Sequence, residues 1–217
     1  MADPQLSIEI ISDVICPWCY IGKRRLERAL EFAPGIDPVI SWKPYLLEPQ
    51  IPYEGMDRQE YIDTKYGKEE SVGIFEAIKE VGSEVGIQFA FEQIERMPLS
   101  FDAHRLIQWA ESEGCQDEVV ENLFVSHFVE GGDISDLDLL GDLAALSGMD
   151  ADQIRLWLDS EQDVNTLNND IKKVVELGIK AIPTLVINRM VLMTGIEAPE
   201  LLAQAFIKIA DSTTSRF

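Results

Sequence analysis

This chain has little cysteine, little histidine and few basic residues. Three cysteines and two histidines occur among 217 residues, so a disulfide-stapled scaffold has no material to form. A zinc site built from paired Cys-x-x-Cys motifs lacks its second pair, since only Cys115, His104 and His127 remain beside Cys16 and Cys19. No metal is expected. Lysine and arginine total 18 against 39 aspartates and glutamates, a net charge of −21. A surface of that sign repels nucleic acid and anionic membranes, which removes both as expected partners. No apolar run reaches the length that spans a bilayer, and repeats, low-complexity tracts and long flexible linkers are absent as well. The start, Met1-Ala2-Asp3-Pro4-Gln5, lacks the basic region and apolar stretch of a secretory signal. A cytoplasmic location is therefore expected, where a disulfide is transient or catalytic.

What is present is concentrated at Cys16-Pro17-Trp18-Cys19. This stretch follows an apolar, β-branched run, Ile8-Glu9-Ile10-Ile11, and opens a helix-like segment beginning Gly22-Lys23-Arg24-Arg25-Leu26. A strand that delivers Cys-x-x-Cys to a helix N-terminus makes a reactive thiol, because free N–H groups and aligned peptide dipoles favour thiolate there. Pro17 suits the first helical position, where its missing N–H costs nothing. A permanently closed bridge would staple only four residues of chain and gain little. Thiol–disulfide chemistry is the expectation. Lys23, Arg24 and Arg25 lie within two turns of the cysteines. They are candidates for favouring thiolate or an anionic thiol substrate, or for a plain surface role.

The opening reads as a strand near residues 6–12, a helix near 18–32 and a second strand near 38–46. Pro44, Pro49 and Pro52 then end the β-rich part. From about Met56 to Leu177 the periodicity is helical almost throughout, with Val120, Leu123, Phe124, His127 and Phe128 on one apolar face. Ser135 and Ser160, each followed three residues later by an acid, are expected helix starts. A helix ending near Gly178 precedes Pro183-Thr184-Leu185-Val186-Ile187, a turn at Asn188-Arg189, and Met190-Val191-Leu192-Met193, which reads as a hairpin. A last helix begins around Glu197-Ala198-Pro199-Glu200. The expected architecture is α/β, with residues 1–55 and 160–217 in one domain and 56–159 as a large all-helical insertion. A proline opening a strand at Ile182-Pro183 is confined to an edge or a strand start. Taken with the cysteines, it is expected to be cis, exposing the Ile182 backbone to an extended substrate.

These residues resemble a known family. The order β-α-β, Cys-x-x-Cys, proline, hairpin and helix resembles a thioredoxin fold, and the helical insertion resembles the DsbA family. The similarity is closest to its FrnE-like branch, related to kappa-class glutathione transferases and 2-hydroxychromene-2-carboxylate isomerases. It is carried by the stretch from Asp13 to Gly22, by Trp42-Lys43-Pro44-Tyr45, by Ser100-Phe101-Asp102-Ala103-His104-Arg105-Leu106, by Phe128-Val129-Glu130-Gly131-Gly132-Asp133-Ile134, and by Ile182-Pro183-Thr184. The resemblance implies that Cys16 is the attacking, more exposed thiol, that Cys19 resolves the mixed disulfide, and that Pro183 faces the pair. Pro17, Trp18, Ile182 and His104 are implied substrate contacts, although His104 borders an apolar stripe that also suits a packed histidine. His127 reads as a hydrogen-bonded core residue and Cys115 as a bystander. Leu99 stands where relatives often carry asparagine, and Ala181-Ile182 where they often have glycine and valine, a bulkier pair that narrows the groove.

The expected function is that of a disulfide oxidoreductase exchanging with protein or low-molecular-weight thiols, with no bound cofactor and glutathione as a candidate co-substrate. The alternative is a glutathione-dependent isomerase or transferase of the hydroxychromene-carboxylate type. Relatives of that kind typically carry serine at the position of Cys16.

Overall fold

The computed structural model describes residues 6–195 and 197–214; the acidic start at residues 1–5, read above for the lack of a secretory signal, lies outside them. Strand β1 (Ser7–Ser12) runs into helix α1 (Pro17–Glu31), and β2 (Val39–Pro44) returns parallel to β1. Far along the chain, β5 (Thr184–Ile187) and β6 (Val191–Thr194) complete a four-stranded sheet of order β2-β1-β5-β6, with β5 antiparallel to β1. The period-2 pattern of the central strands explains the two layers around them. Ile8, Ile10, Leu185 and Ile187 point to a core shared with Leu26 and Ala29 of α1 and with Leu202 and Phe206 of α9 (Pro199–Thr214). Ile11 and Val186, one position out of phase, meet Val174 of α8 (Val164–Glu176) on the other side.

The hairpin forms where its sequence predicts. Asn188 and Arg189 take left-handed φ of 51° and 59°, and Met190, expected to open the second strand, is instead the third residue of the connection, because Ile187 pairs with Val191. Ser7 N–H donates to Asn188 Oδ1 at 3.0 Å, which fixes the turn against the start of β1. Helix α8 ends at Gly178, whose φ of 75° only glycine adopts without cost.

Between β2 and α8 lie α2 (Arg58–Lys65), α3 (Lys68–Glu84), α4 (Phe101–Glu113), α5 (Gln116–Phe128), α6 (Leu137–Leu146) and α7 (Ala151–Leu158). This block is not purely helical. Two-residue strands β3 (Met56–Asp57) and β4 (Arg96–Met97) pair antiparallel, and residues 91–93 form a 3₁₀ turn. Elements that short leave no periodicity to read. The expected caps also shift. Asp136 caps α6 by accepting from Asp138 N–H, while the Ser135 hydroxyl donates to Asp133 instead. Ser160 donates to the Trp157 carbonyl and closes the end of α7, and α8 starts after Asp163.

Two polar residues tie the block to its surroundings. Gln116 exchanges hydrogen bonds with the Trp42 N–H and carbonyl at 2.8 and 3.2 Å, so its side chain pairs with the edge strand β2. Arg105, 2% exposed, donates to the carbonyls of Trp157, Leu158, Ser160 and Gln162 and to Asp102. It thereby ends α7 and seats the turn that leads into α8.

Candidate active site

Cys16 is the N-cap of α1, in extended geometry (φ −98°, ψ 109°), and Pro17 follows as the first helical residue. The first turn carries no acid, so nothing there opposes the dipole's preference for negative charge at this end. Asp13 shapes the approach. Its backbone carbonyl accepts from Cys16 N–H at 3.1 Å, and its buried carboxylate accepts from Ile15 and Leu47 N–H at 3.3 and 2.7 Å. Both cysteines are free thiols and both are buried, Cys16 at 4% and Cys19 at 1% exposure. Trp18, at 39%, is the exposed residue of the motif. The expected contrast in exposure between the two thiols is therefore slight; what separates them is environment. Burial, followed by the hydrogen bond to Cys16 and that thiol's charge, pushes the Cys19 thiol well above its ordinary pKa. Cys16 instead opens onto a cleft.

That cleft has a volume of about 380 Å³. Its floor is Ile15, Cys16, Pro17 and Trp18, and one rim is Lys180, Ala181 and Ile182. The facing wall comes from the helical block: Arg58, Tyr61, Ile62 and Lys65 of α2, Tyr66, and Ile74, Phe75 and Ile78 of α3. Phe91, Met97, His127 and Phe128 close the back. The Ile182–Pro183 peptide is cis, and Pro183 shares a small void with Cys19 behind the motif. The structure thus brings Cys16, Pro17, Trp18 and Ile182 to one surface, with Cys19 and Pro183 immediately behind it.

His104 stands elsewhere. It is buried and does not line the cleft; its Nε2 is 3.2 Å from the Tyr45 carbonyl and 3.4 Å from Asp13 Oδ1. Both neighbours are acceptors, so Nε2–H donates and His104 supports the Asp13 loop instead of reaching substrate. Lys23 and Arg24 are likewise occupied. Lys23, 4% exposed, is held by Glu27, Asp117 and Glu121, and Arg24 by Glu27 and Glu121. They fasten α1 to α5. Cys115 caps α5, away from the cleft lining.

The far wall was missed by sequence reasoning. Tyr61, Lys65 and Tyr66 line the same cleft as Cys16: Lys65 lies 5.2 and 5.3 Å from the two tyrosine rings and is paired with Glu48. Burial lowers the Lys65 pKa, and the charge of Cys16 acts in the opposite direction. Burial raises both tyrosines, so they stay neutral hydroxyls. The sequence places Tyr61, Lys65 and Tyr66 together at the end of α2, but nothing in it says what they face.

His127 is a buried residue, as expected, but it also faces the cleft. Its Nδ1–H donates to the Gly132 carbonyl at 3.2 Å. Gly131 makes that turn possible, since its φ is 74° and a Cβ there would lie 2.5 Å from the Gln93 carbonyl oxygen. Burial pushes the His127 pKa down to about 4 from 6.5. The unfolded chain therefore binds a proton that the folded one refuses between those values. Stability from this residue is full above pH 6.5 and lost as pH falls toward 4, by on the order of 3 kcal/mol. Melting temperature measured from pH 7 to pH 4 should show a flatter decline for His127→Gln than for the parent protein.

Among the described residues no helix is long and apolar enough to cross a membrane. A family profile described as a DSBA-like thioredoxin domain matches residues 7–206. A Streptomyces coelicolor structure, described as a probable DsbA oxidoreductase, superposes with a TM-score of 0.86 at 24% identity, covering 94% of this chain and 89% of that one. A 2-hydroxychromene-2-carboxylate isomerase gives 0.69 at 12% identity, over 97% and 99% of the two chains. The cytosolic disulfide reductase DsbM of Pseudomonas aeruginosa, also solved with GSH, gives 0.65 at 17%, over 97% and 100%. At these identities the structures share the fold.

Proposed function

The chain belongs to the DSBA-like thioredoxin domain family, and from that premise we propose that it is a cytoplasmic thiol–disulfide oxidoreductase acting through Cys16 and Cys19. The observation that carries this reading is the pair of free thiols at the N-terminus of α1, one on the floor of a cleft and one buried behind it. The Cys16 thiolate attacks a substrate disulfide, forming a mixed disulfide and releasing one substrate thiolate. Cys19 then gives up its proton and attacks Cys16 Sγ, releasing the second. The pair loses two electrons and the substrate disulfide gains them; an oxidised pair runs the reverse exchange with a dithiol. The raised Cys19 pKa supports this order, because the buried thiol stays protonated until the mixed disulfide is in place.

Ile182, beside the cis-proline, offers its backbone to an extended substrate segment, and Pro17 and Trp18 border the attacked sulfur. Substrates are protein or low-molecular-weight disulfides, and glutathione is a suitable co-substrate for a cleft of small-molecule size. That same size favours a second reading, a glutathione-dependent isomerase or transferase. A cysteine at both motif positions weighs against it.

The test is trapping. Cys19→Ala protein expressed in its own cells should accumulate mixed disulfides that reductant releases and that Cys16→Ser protein lacks. Discrete protein partners support a protein oxidoreductase. Glutathione alone on Cys16 moves the reading to small-thiol chemistry, and no adduct at all overturns the exchange mechanism.

A further inference from the structure

We propose that Arg58 determines substrate specificity in the cleft by selecting disulfides and thiols that carry a carboxylate. The inference rests on Cys16 being the exchanging thiol and adds what that thiol prefers to meet.

The charge inventory singles Arg58 out. In a chain with 39 acids and 18 bases, cations near the motif are taken up by carboxylates: Lys23 and Arg24 by those of α1 and α5, Lys65 by Glu48. Arg58 opens α2, lines the same cleft as Cys16, and is packed on rings, 4.9 Å from the centroid of Phe75 and 5.9 Å from that of Phe91. The carboxylate that bears on it, Glu92, is itself 2.7 Å from Lys79. Lys180, the third cation lining the cleft, is exposed at the rim, where salt screens it.

A guanidinium packed against aromatic rings spends none of its N–H donors on them, and such donors fit a carboxylate bidentately. The site is partly removed from water, so a pairing there is stronger than one on the open surface. The molecule as a whole, at −21, repels anions. An anionic substrate thus needs one local cation to seat it, and Arg58 is placed to supply it above an apolar floor. The favoured substrate pairs an apolar or aromatic body with a carboxylate set away from its sulfur.

Two chromogenic aromatic disulfides test this: dithiobis(nitrobenzoate), with a carboxylate on each ring, and neutral dithiodipyridine. Reduced full-length protein in a Cys115→Ser background restricts the signal to the pair. Cys16 thiolate attacks one probe sulfur and an aromatic thiolate leaves. Cys19 loses its proton and closes the Cys16–Cys19 disulfide, and the second aromatic thiolate leaves. The probe takes up the two electrons the pair gives up. In Arg58→Gln the charged-to-neutral rate ratio should fall by about 10- to 100-fold, the range of a charge-assisted hydrogen bond. The dithiodipyridine rate should hold, and Arg58→Lys should keep part of the preference. An unchanged ratio, or equal losses with both probes, overturns the proposal. Silence of the unsubstituted pair toward both probes overturns the exchange reading, and this proposal with it.

Discussion

Cys16→Ser protein should lose insulin reduction and glutathione-disulfide turnover to background, a fall on the order of 10³-fold or more. A serine hydroxyl stays protonated at neutral pH and forms no disulfide, so neither the first attack nor the resolving step survives. Cys19→Ala removes only the second half of the cycle. It should still release one thiolate per protein molecule in a rapid burst and then stop, because the buried resolving thiol is gone. The same variant separates the two readings of the site. A glutathione transferase or isomerase holds the thiol of its co-substrate and has no use for a resolving partner, so its rate would survive the loss of Cys19. A burst without turnover supports dithiol exchange; undiminished turnover sinks it.

The largest expected loss of stability follows from Arg105→Met. The arginine is 2% exposed and bonded to Asp102 at 2.8 Å and to four backbone carbonyls between Trp157 and Gln162. Methionine fills much of the volume but donates nothing. Asp102, 5% exposed, keeps the Tyr53 hydroxyl at 2.8 Å but loses its cation, and an uncompensated buried charge costs about 3–5 kcal/mol. For a chain of this size that lowers the melting temperature by roughly 6–20 °C. Thermal unfolding checks it, and adding Asp102→Asn should recover part of the loss by removing the stranded charge. Below the transition, Cys16 reactivity should be unchanged, since Arg105 does not line the cleft.

Much of this site was legible before any coordinates. The Cys16-Pro17-Trp18-Cys19 motif, the proline opening β5 and the Asn188-Arg189 turn each carry their own local chemistry, and local chemistry survives in sequence. The cleft's far wall was not legible, because Arg58 and Tyr61 of α2, Phe75 of α3 and Phe91 of the 3₁₀ turn come from three elements and each reads as an ordinary amphipathic position. Nothing along the chain says that they converge on Cys16. His104 left two readings open in the sequence, substrate contact or packed histidine. It lies in a stretch shared with the family, yet its ring points at Asp13 and Tyr45, an orientation that spacing does not encode. Lys23 and Arg24 look like thiolate partners until α5 brings Asp117 and Glu121 to them.

The pairing of β1 with β5 also sets an order of assembly. Ser7 and Asn188, hydrogen-bonded at 3.0 Å, are 181 positions apart. At typical elongation rates of about 5–20 residues per second, β1 leaves the ribosome roughly ten to forty seconds before β5 exists. During that interval the first strand and the nascent thiols have only local partners and the helical block to fold against. Ile182, the rim opposite Cys16, arrives within the same few residues that complete the sheet. The substrate cleft is therefore among the last things this chain builds, so exchange competence marks a finished molecule.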